Sequence, residues 1–429
     1  MSDTATTDTV KEPAKVSQIL DEDIERARKL VGADTAVAGR EHISRVSEDA
    51  IRNFAYSAGD DNPLFSDPAY GARTRWGMQI APNLMAAVIG APMLGDRLPA
   101  ELRALKKGLF QGIHVFVSGS EWNWYRPVRP NDVLYSFAGE DGVEVKPSEY
   151  AGRTVTKFLR TVKINQNGEV VGIYRKRSIL SDRSSGKERG KYSSLEAATY
   201  TDAQLSAIED IYKAETRRGA EPRFFEDVEI GEPMGRMAKG PLTLTDMVVF
   251  HSGGYGFQPY GLFSHRMAYA NRQRIPAFYV KNNNGVPDVI QRVHWDAELA
   301  TSTTGNPAPY DYGVMRETWL HHFLTDWAGD DGFVVRQYDE IRKFNYIGDT
   351  QIITGEVTGK REENGRFLVD VRLEAKSQRD VVTAICDGTI ALPSREHGPV
   401  VLPDVPLAVS RRAIEMFRRH SELSSGAPA

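Results

Sequence analysis

Cysteine is almost missing: the 429 residues hold one, Cys386, which excludes an internal disulfide and a cysteine-built metal cluster. It lies in VVTAICDGTIALP, whose β-branched residues predict a packed strand and an inert, structural thiol. No apolar run reaches the about 18 residues that would span a bilayer, so no membrane association is expected. The opening MSDTATTDTVKEPAK lacks the apolar centre of a secretion signal, so a cytoplasmic protein is expected. Excess charge of one sign is missing too. A net charge of −4 and the lack of a long basic run give no expectation of a nucleic-acid partner. No His and carboxylate set has zincin spacing, so no metal is expected. HSGGYGF lacks the preceding strand and the glycine order of a dinucleotide loop, and no G-x-S-x-G occurs, so neither a nicotinamide cofactor nor a serine hydrolase is expected.

What is present is ordinary globular material, 41% apolar and 26% charged, in a chain long enough for two or three domains. Residues 1–16 are polar and Thr-rich and are expected to fray, and a helix follows from Ser17. Polarity rises through SILSDRSSGKERGKYSSLE, which places a boundary near residue 195, with a helical linker over 196–222. A Pro-rich passage, a short helix and a loose tail are expected over 396–429.

The two long segments, 17–195 and 223–395, read as copies of each other. VSEDAIRNFAYSAGDDNP and LTLTDMVVFHSGGYGFQP both offer a helix N-cap, Ser47 or Thr243, with Phe54 or Phe250 seven residues on and Pro63 or Pro259 nine residues after that. LFSDPAYGA then pairs with VHWDAELAT, about 30 residues further on in the second copy than in the first. A Gly-Met helix start follows in each, at Gly77 and Gly313. WYRPVRPNDVLYSFAGE and RKFNYIGDTQIITGEV set Asp132 against Asp349, ahead of long alternating strands. Each half therefore predicts helix, turn, helix and antiparallel sheet, an α+β unit with one helix lying on the sheet.

FAYSAGDDNPLFSDPAY…GMQIAPNLM, with VHWDAELA, LTDWAGDDGF and YIGDTQIITGEV in the second half, resembles the MaoC-like dehydratases. These are relatives of (R)-specific enoyl-CoA hydratases and of the fungal fatty-acid-synthase-type dehydratase domain. The resemblance implies two hotdog folds in one chain, packed as a pseudo-dimer, that add water to an enoyl-CoA thioester or remove it. It also implies a signature G-D-x-N-P-[aliphatic]-H-x-D, with Asp and His activating the water and a glycine amide at a helix start binding the thioester oxygen. A carboxylate and an imidazole so placed can take a proton from water and deliver one to carbon, and helix N–H groups suit the developing enolate.

Carried over, the first half supplies Asp60, Asn62 and Gly77, but Phe65 stands at the histidine position. The second supplies His294, Asp296 and Gly313, but Gly256 stands at the aspartate position. One reading makes His294 the acid/base, with a group from 260–292, Asp288 foremost, replacing the lost acid. A second pairs Asp60 with a base donated across the pseudo-dimer. A third makes the chain a non-catalytic acyl-CoA-binding or partner subunit, or a hotdog thioesterase. Against all three, Asp60 and Asn62 are ordinary turn-formers, and His294 between Val293 and Trp295 has the setting of a core histidine. The HH of His321 and His322 reads as helix packing, and GDDG at 329–332 as a turn with solvated carboxylates. A homodimer of such chains is a further expectation.

Overall fold

A computed structural model describes residues 18–148, 152–181, 196–256, 261–304, 306 and 308–426. The fraying expected of residues 1–16 and the polar stretch 182–195 lie outside them. Both helix starts form as their sequences predict. Ser47 Oγ accepts from Ala50 N–H at 3.1 Å ahead of helix Glu48–Ser57, and Thr243 with Asp246 makes a reciprocal capping box ahead of Leu244–Phe250. Phe54 and Phe250 are each buried in one shared core.

The sheet displays the duplication. Strands β1 (Thr35–Ala36), β2 (His114–Trp124), β3 (Tyr135–Ser148), β4 (Gly152–Ile164) and β5 (Val170–Ser181) belong to the first half. The second half supplies β6 (Pro233–Lys239), β9 (Phe333–Ile341), β10 (Gln351–Glu363), β11 (Arg366–Ser377) and β12 (Val382–Leu392), while β7 (Tyr279–Lys281) and β8 (Pro287–Val289) form a separate hairpin between its helices. Reading outward from the central β2–β9 pair gives β2-β5-β4-β3-β1 on one side and β9-β12-β11-β10-β6 on the other, the same order twice. Side chains repeat as well. Asp132 accepts from Arg129 N–H and from Gln166, whose amide oxygen accepts from Val133 N–H. Asp349 does the same with Tyr346 N–H, Gln378 and Thr350 N–H. A bulge precedes Gly142 in β3 and Gly359 in β10. This is a pair of hotdog folds joined into one ten-stranded sheet.

The halves part company at the central helix. In the second, Gly313–Ala328 forms 16 helical residues, packed against β9, β12, β2 and β6. Met315, Trp319, Leu320, Phe323, Leu324 and Trp327 enter the core, so the helix is buried almost all round. The matching helix expected from Gly77 is not there. Gly77 sits in a turn at φ +67° and its N–H already donates to Thr74 O at 3.0 Å. The chain reaches only a six-residue 3-10 segment, Asn83–Val88. Pro82 would leave such a helix without an N–H in its second turn, and Asn83 Nδ2 ties the segment to Val334 O of β9. The GDDG reading changes too: Asp330 is buried and accepts from Asn62 Nδ2 and Tyr70 OH.

Cys386 is fully buried on β12, as predicted. Beside it a polar knot fills the space under the central helix. Gln337 Nε2 donates to Asp339 Oδ2 at 2.8 Å and Glu317 O at 3.0 Å, and its Oε1 lies 2.8 Å from His321 Nδ1. Burial pushes the Glu317 carboxyl up to about 7 and that of Asp339 well above its usual range. A folded-state value above the unfolded one stabilises the fold at low pH, and that contribution disappears as pH rises through it. For Glu317 the loss is on the order of 3 kcal/mol. Melting temperature is therefore expected to fall as pH rises from about 4.5 through about 7, and Glu317→Gln to flatten that fall. An equal slope in both proteins would contradict this assignment.

Candidate active site

Two places gather the residues that the sequence singles out. In the second half, His294 ends the 3-10 turn Ile290–His294, and its ring packs on Tyr312 with centres 3.8 Å apart. Tyr312 is the N-cap of the central helix and offers no side-chain cap, and a helix leaves its first N–H groups without intrahelical acceptors. The structure thus brings His294 to the residue that precedes Gly313. His294 Nδ1 lies 2.8 Å from Tyr310 O. A carbonyl only accepts, so Nδ1 carries the proton and Nε2 the lone pair. Burial pushes this imidazole down to about 4, the Tyr310 carbonyl opposing and nearby His251 adding to the effect. At neutral pH it is a base with its lone pair on the outer nitrogen.

Asp288 does not join it. It stands on β8, accepts from its neighbour Val289 N–H and faces Arg292 at 3.5 Å, because the β7–β8 pairing holds it in the hairpin. Asp296, expected at the substrate, is also structural: it binds Arg292 Nη1 at 2.6 Å and accepts from Leu299 N–H at the start of helix Ala297–Thr304. Asp311 is next in sequence to two residues of the site, yet its carboxylate is held by Arg316 at 2.9 Å and Asn345 at 3.0 Å. What does face Tyr312 is a second imidazole, His251, at 5.0 Å between ring centres.

The first half holds the other cluster. Asp60 and Asn62 form the predicted turn: Asp60 Oδ1 accepts from Asn62 N–H, and Asn62 Oδ1 caps Leu64 N–H. Asn62 is therefore a cap and a tie to Asp330, not a substrate contact, and Gly77 has no free N–H for an oxyanion. Asp60 has nevertheless acquired an imidazole from across the joint. His322 Nε2, on the central helix, lies 3.8 Å from Asp60 Oδ1 and 3.2 Å from Asp326 Oδ2, and Lys239 Nζ lies 2.8 Å from His322 Nδ1 and donates to Ala58 O. Burial raises Asp60 to about 6 and lowers Lys239. Ligand atoms of Asp60, His322 and Asp326 all lie within 4.8 Å of one another, a spacing that a divalent ion could use, but Lys239 already brings a cation to the same imidazole. The cavity beside Asn62 and Phe65, about 30 Å³, is lined by neither Asp60 nor His322.

His251, Tyr312, Lys239 and His322 are the residues that sequence reasoning undervalued. Tyr312 directly precedes the predicted helix start, and His251 directly follows the inward Phe250. Those positions were the available signal.

Residues 30–173 match the family model of the FAS1-like, dehydratase domain region. No curated protein matches the chain in sequence. Among solved structures, one described as a MaoC-like dehydratase is similar over 85% of this chain and 99% of its own, at 14% identity and a TM-score of 0.55. A MaoC domain protein dehydratase from Chloroflexus aurantiacus is similar over 85% of this chain and 96% of its own, at 13% identity and a TM-score of 0.50.

Proposed function

We propose that this chain, a double hotdog of the MaoC-like dehydratase type with a FAS1-like dehydratase region at residues 30–173, hydrates an enoyl-CoA thioester reversibly, and does so in its second half. The observation that carries this reading is the packing of a neutral His294 on the residue that opens the central helix. In the hydration direction, His294 Nε2 takes a proton from water as the water oxygen bonds to the β-carbon. The displaced π pair moves toward the thioester oxygen, where the N–H groups of the helix start at Gly313 stabilise the enolate. The imidazolium then gives the same proton to the α-carbon. One water is added and the base is regenerated, so a single imidazole can serve both transfers.

The 3.8 Å approach of His322 to Asp60 favours a second reading, hydration in the first half by a cross-joint pair. There, however, Asp60 Oδ1 already accepts from Asn62 N–H, and His322 is engaged by Lys239 at Nδ1 and by Asp326 at Nε2, and the first reading is preferred.

The test is to incubate the purified chain with trans-2-butenoyl-CoA and follow both the loss of enoyl absorbance and the appearance of the 3-hydroxyacyl-CoA by mass. Hydration that survives Asp60→Asn and disappears with His294→Ala is the expected result. The opposite pattern would transfer the activity to the first half, and free CoA as the product would make the chain a thioesterase.

A further inference from the structure

The second half has lost its acid at Gly256, and the backbone shows that none can return there. Gly256 has φ +66° and ψ −171°, a region that essentially only glycine adopts. A Cβ at this position would lie 2.1 Å from His42 Cγ. The first half's His42 occupies the space that a side chain at 256 would enter.

A neighbouring imidazole has been brought to the site instead. The helix Leu244–Phe250 runs into a π-turn, His251–Tyr255, and its glycines allow close approach to the first half's helix. A Cβ at Gly253 would meet Ser57 Cβ at 2.2 Å, and one at Gly254 would meet Phe54 Cδ2 at 2.8 Å. The turn closes with Gly256 N–H donating to His251 O and with His251 Nδ1 at 2.6 Å from Gly256 O. As at His294, the acceptor is a carbonyl, so His251 also carries its proton on Nδ1 and its lone pair on Nε2. Burial holds His251 below its usual range, and the nearby His42 adds to that. Two imidazoles of the same tautomer thus flank one Tyr312 ring, at 3.8 Å and 5.0 Å, where the central helix begins.

We propose that His251 is the second catalytic group of the site, accepting through Nε2 a hydrogen bond from the water that His294 deprotonates. This inference rests on the hydration reading given above. Water has two hydrogens: one leaves to His294 and the other stays on the new hydroxyl. A group that accepts from the second hydrogen fixes the direction of the oxygen lone pair, which is the service the lost carboxylate at position 256 would have provided. Neutral imidazole can perform it because it offers one lone pair and needs none of the carboxylate's charge.

Steady-state hydration of trans-2-butenoyl-CoA by wild type, His251→Ala, His251→Gln, His294→Ala and the double alanine variant tests this. His251→Ala is expected to lower kcat about 10²-fold, and adding it to His294→Ala to cost little more, since the two act as one unit. His251→Gln, whose amide oxygen accepts the same hydrogen bond near the place of Nε2, is expected to recover most of the rate. Below the plateau, log kcat/KM is expected to fall with the gain of two protons in wild type and of one in both His251 variants. That limb reports the role even if the alanine variant folds poorly. Rates within three-fold of wild type in His251→Ala with an unchanged limb, alongside an inactive His294→Ala, would overturn the role of His251 and leave the hydration reading standing. An inert wild type, or a fully active His294→Ala, would overturn both.

Discussion

His294→Ala is expected to lower kcat/KM for hydration by about 10²–10⁴, or roughly 3–5 kcal/mol of transition-state stabilisation, with little change in unfolding. The loss should appear in kcat, because the imidazole moves a proton and does not hold the body of the substrate. Its packing on Tyr312 gives the alanine variant a modest cavity, which His294→Gln fills without restoring proton transfer. Both variants should therefore be inactive, and a recovery in the glutamine variant would make His294 a packing residue. The pH profile adds a second reading. Burial sets this imidazole to about 4, so in His251→Gln, where His294 is the one imidazole left to titrate in the proposed pair, hydration should fall only as pH approaches that value. Its folded-state value lies under the unfolded value of about 6.5, so its contribution to stability is present above that value and is lost as pH falls toward 4. An activity limb near 6.5 would show that the imidazole is solvated in the working enzyme.

Much of this arrangement was legible in the sequence because local rules decide it. Caps at Ser47 and Thr243, inward Phe54 and Phe250, and Asp132 opposite Asp349 follow from short-range hydrogen bonds and periodicity, and the structure repeats them in both halves. The missing central helix of the first half was less legible. A Gly-Met start predicts a helix, but Pro82 and the contact of Asn83 with β9 override it from outside the motif. The site partners were least legible, since no spacing along the chain announces them. Asp288 is six residues from His294 and faces away into a hairpin, whereas His251 is 43 residues away and meets the same Tyr312 ring. The imidazole that approaches Asp60 lies on the other half's helix, at a position where a paired HH reads as packing.

Lys239→Met is expected to destabilise the chain by about 3–5 kcal/mol, the cost of stranding buried charge when one partner is removed. Lys239 is buried at the joint, where it donates to Ala58 O of the first half and approaches His322 of the second. An ammonium only donates, so His322 Nδ1 accepts and the imidazole turns its Nε2–H toward Asp326 at 3.2 Å. Without the lysine, Asp60, Asp326 and nearby Glu215 lose the cation that they share. Asp60→Asn should behave in the opposite way. Burial raises Asp60 from 3.8 to about 6, so its contribution is present below pH 4 and is lost as pH rises through 6. At pH 8 its ionised form then costs on the order of 3 kcal/mol. The asparagine should match wild type near pH 4 and exceed it at pH 8, in the midpoint of urea unfolding, while hydration stays within a few-fold. A stabilised variant with no activity would make Asp60 a strained catalytic acid. A destabilised one would show that its charge binds the halves together more strongly than burial opposes it.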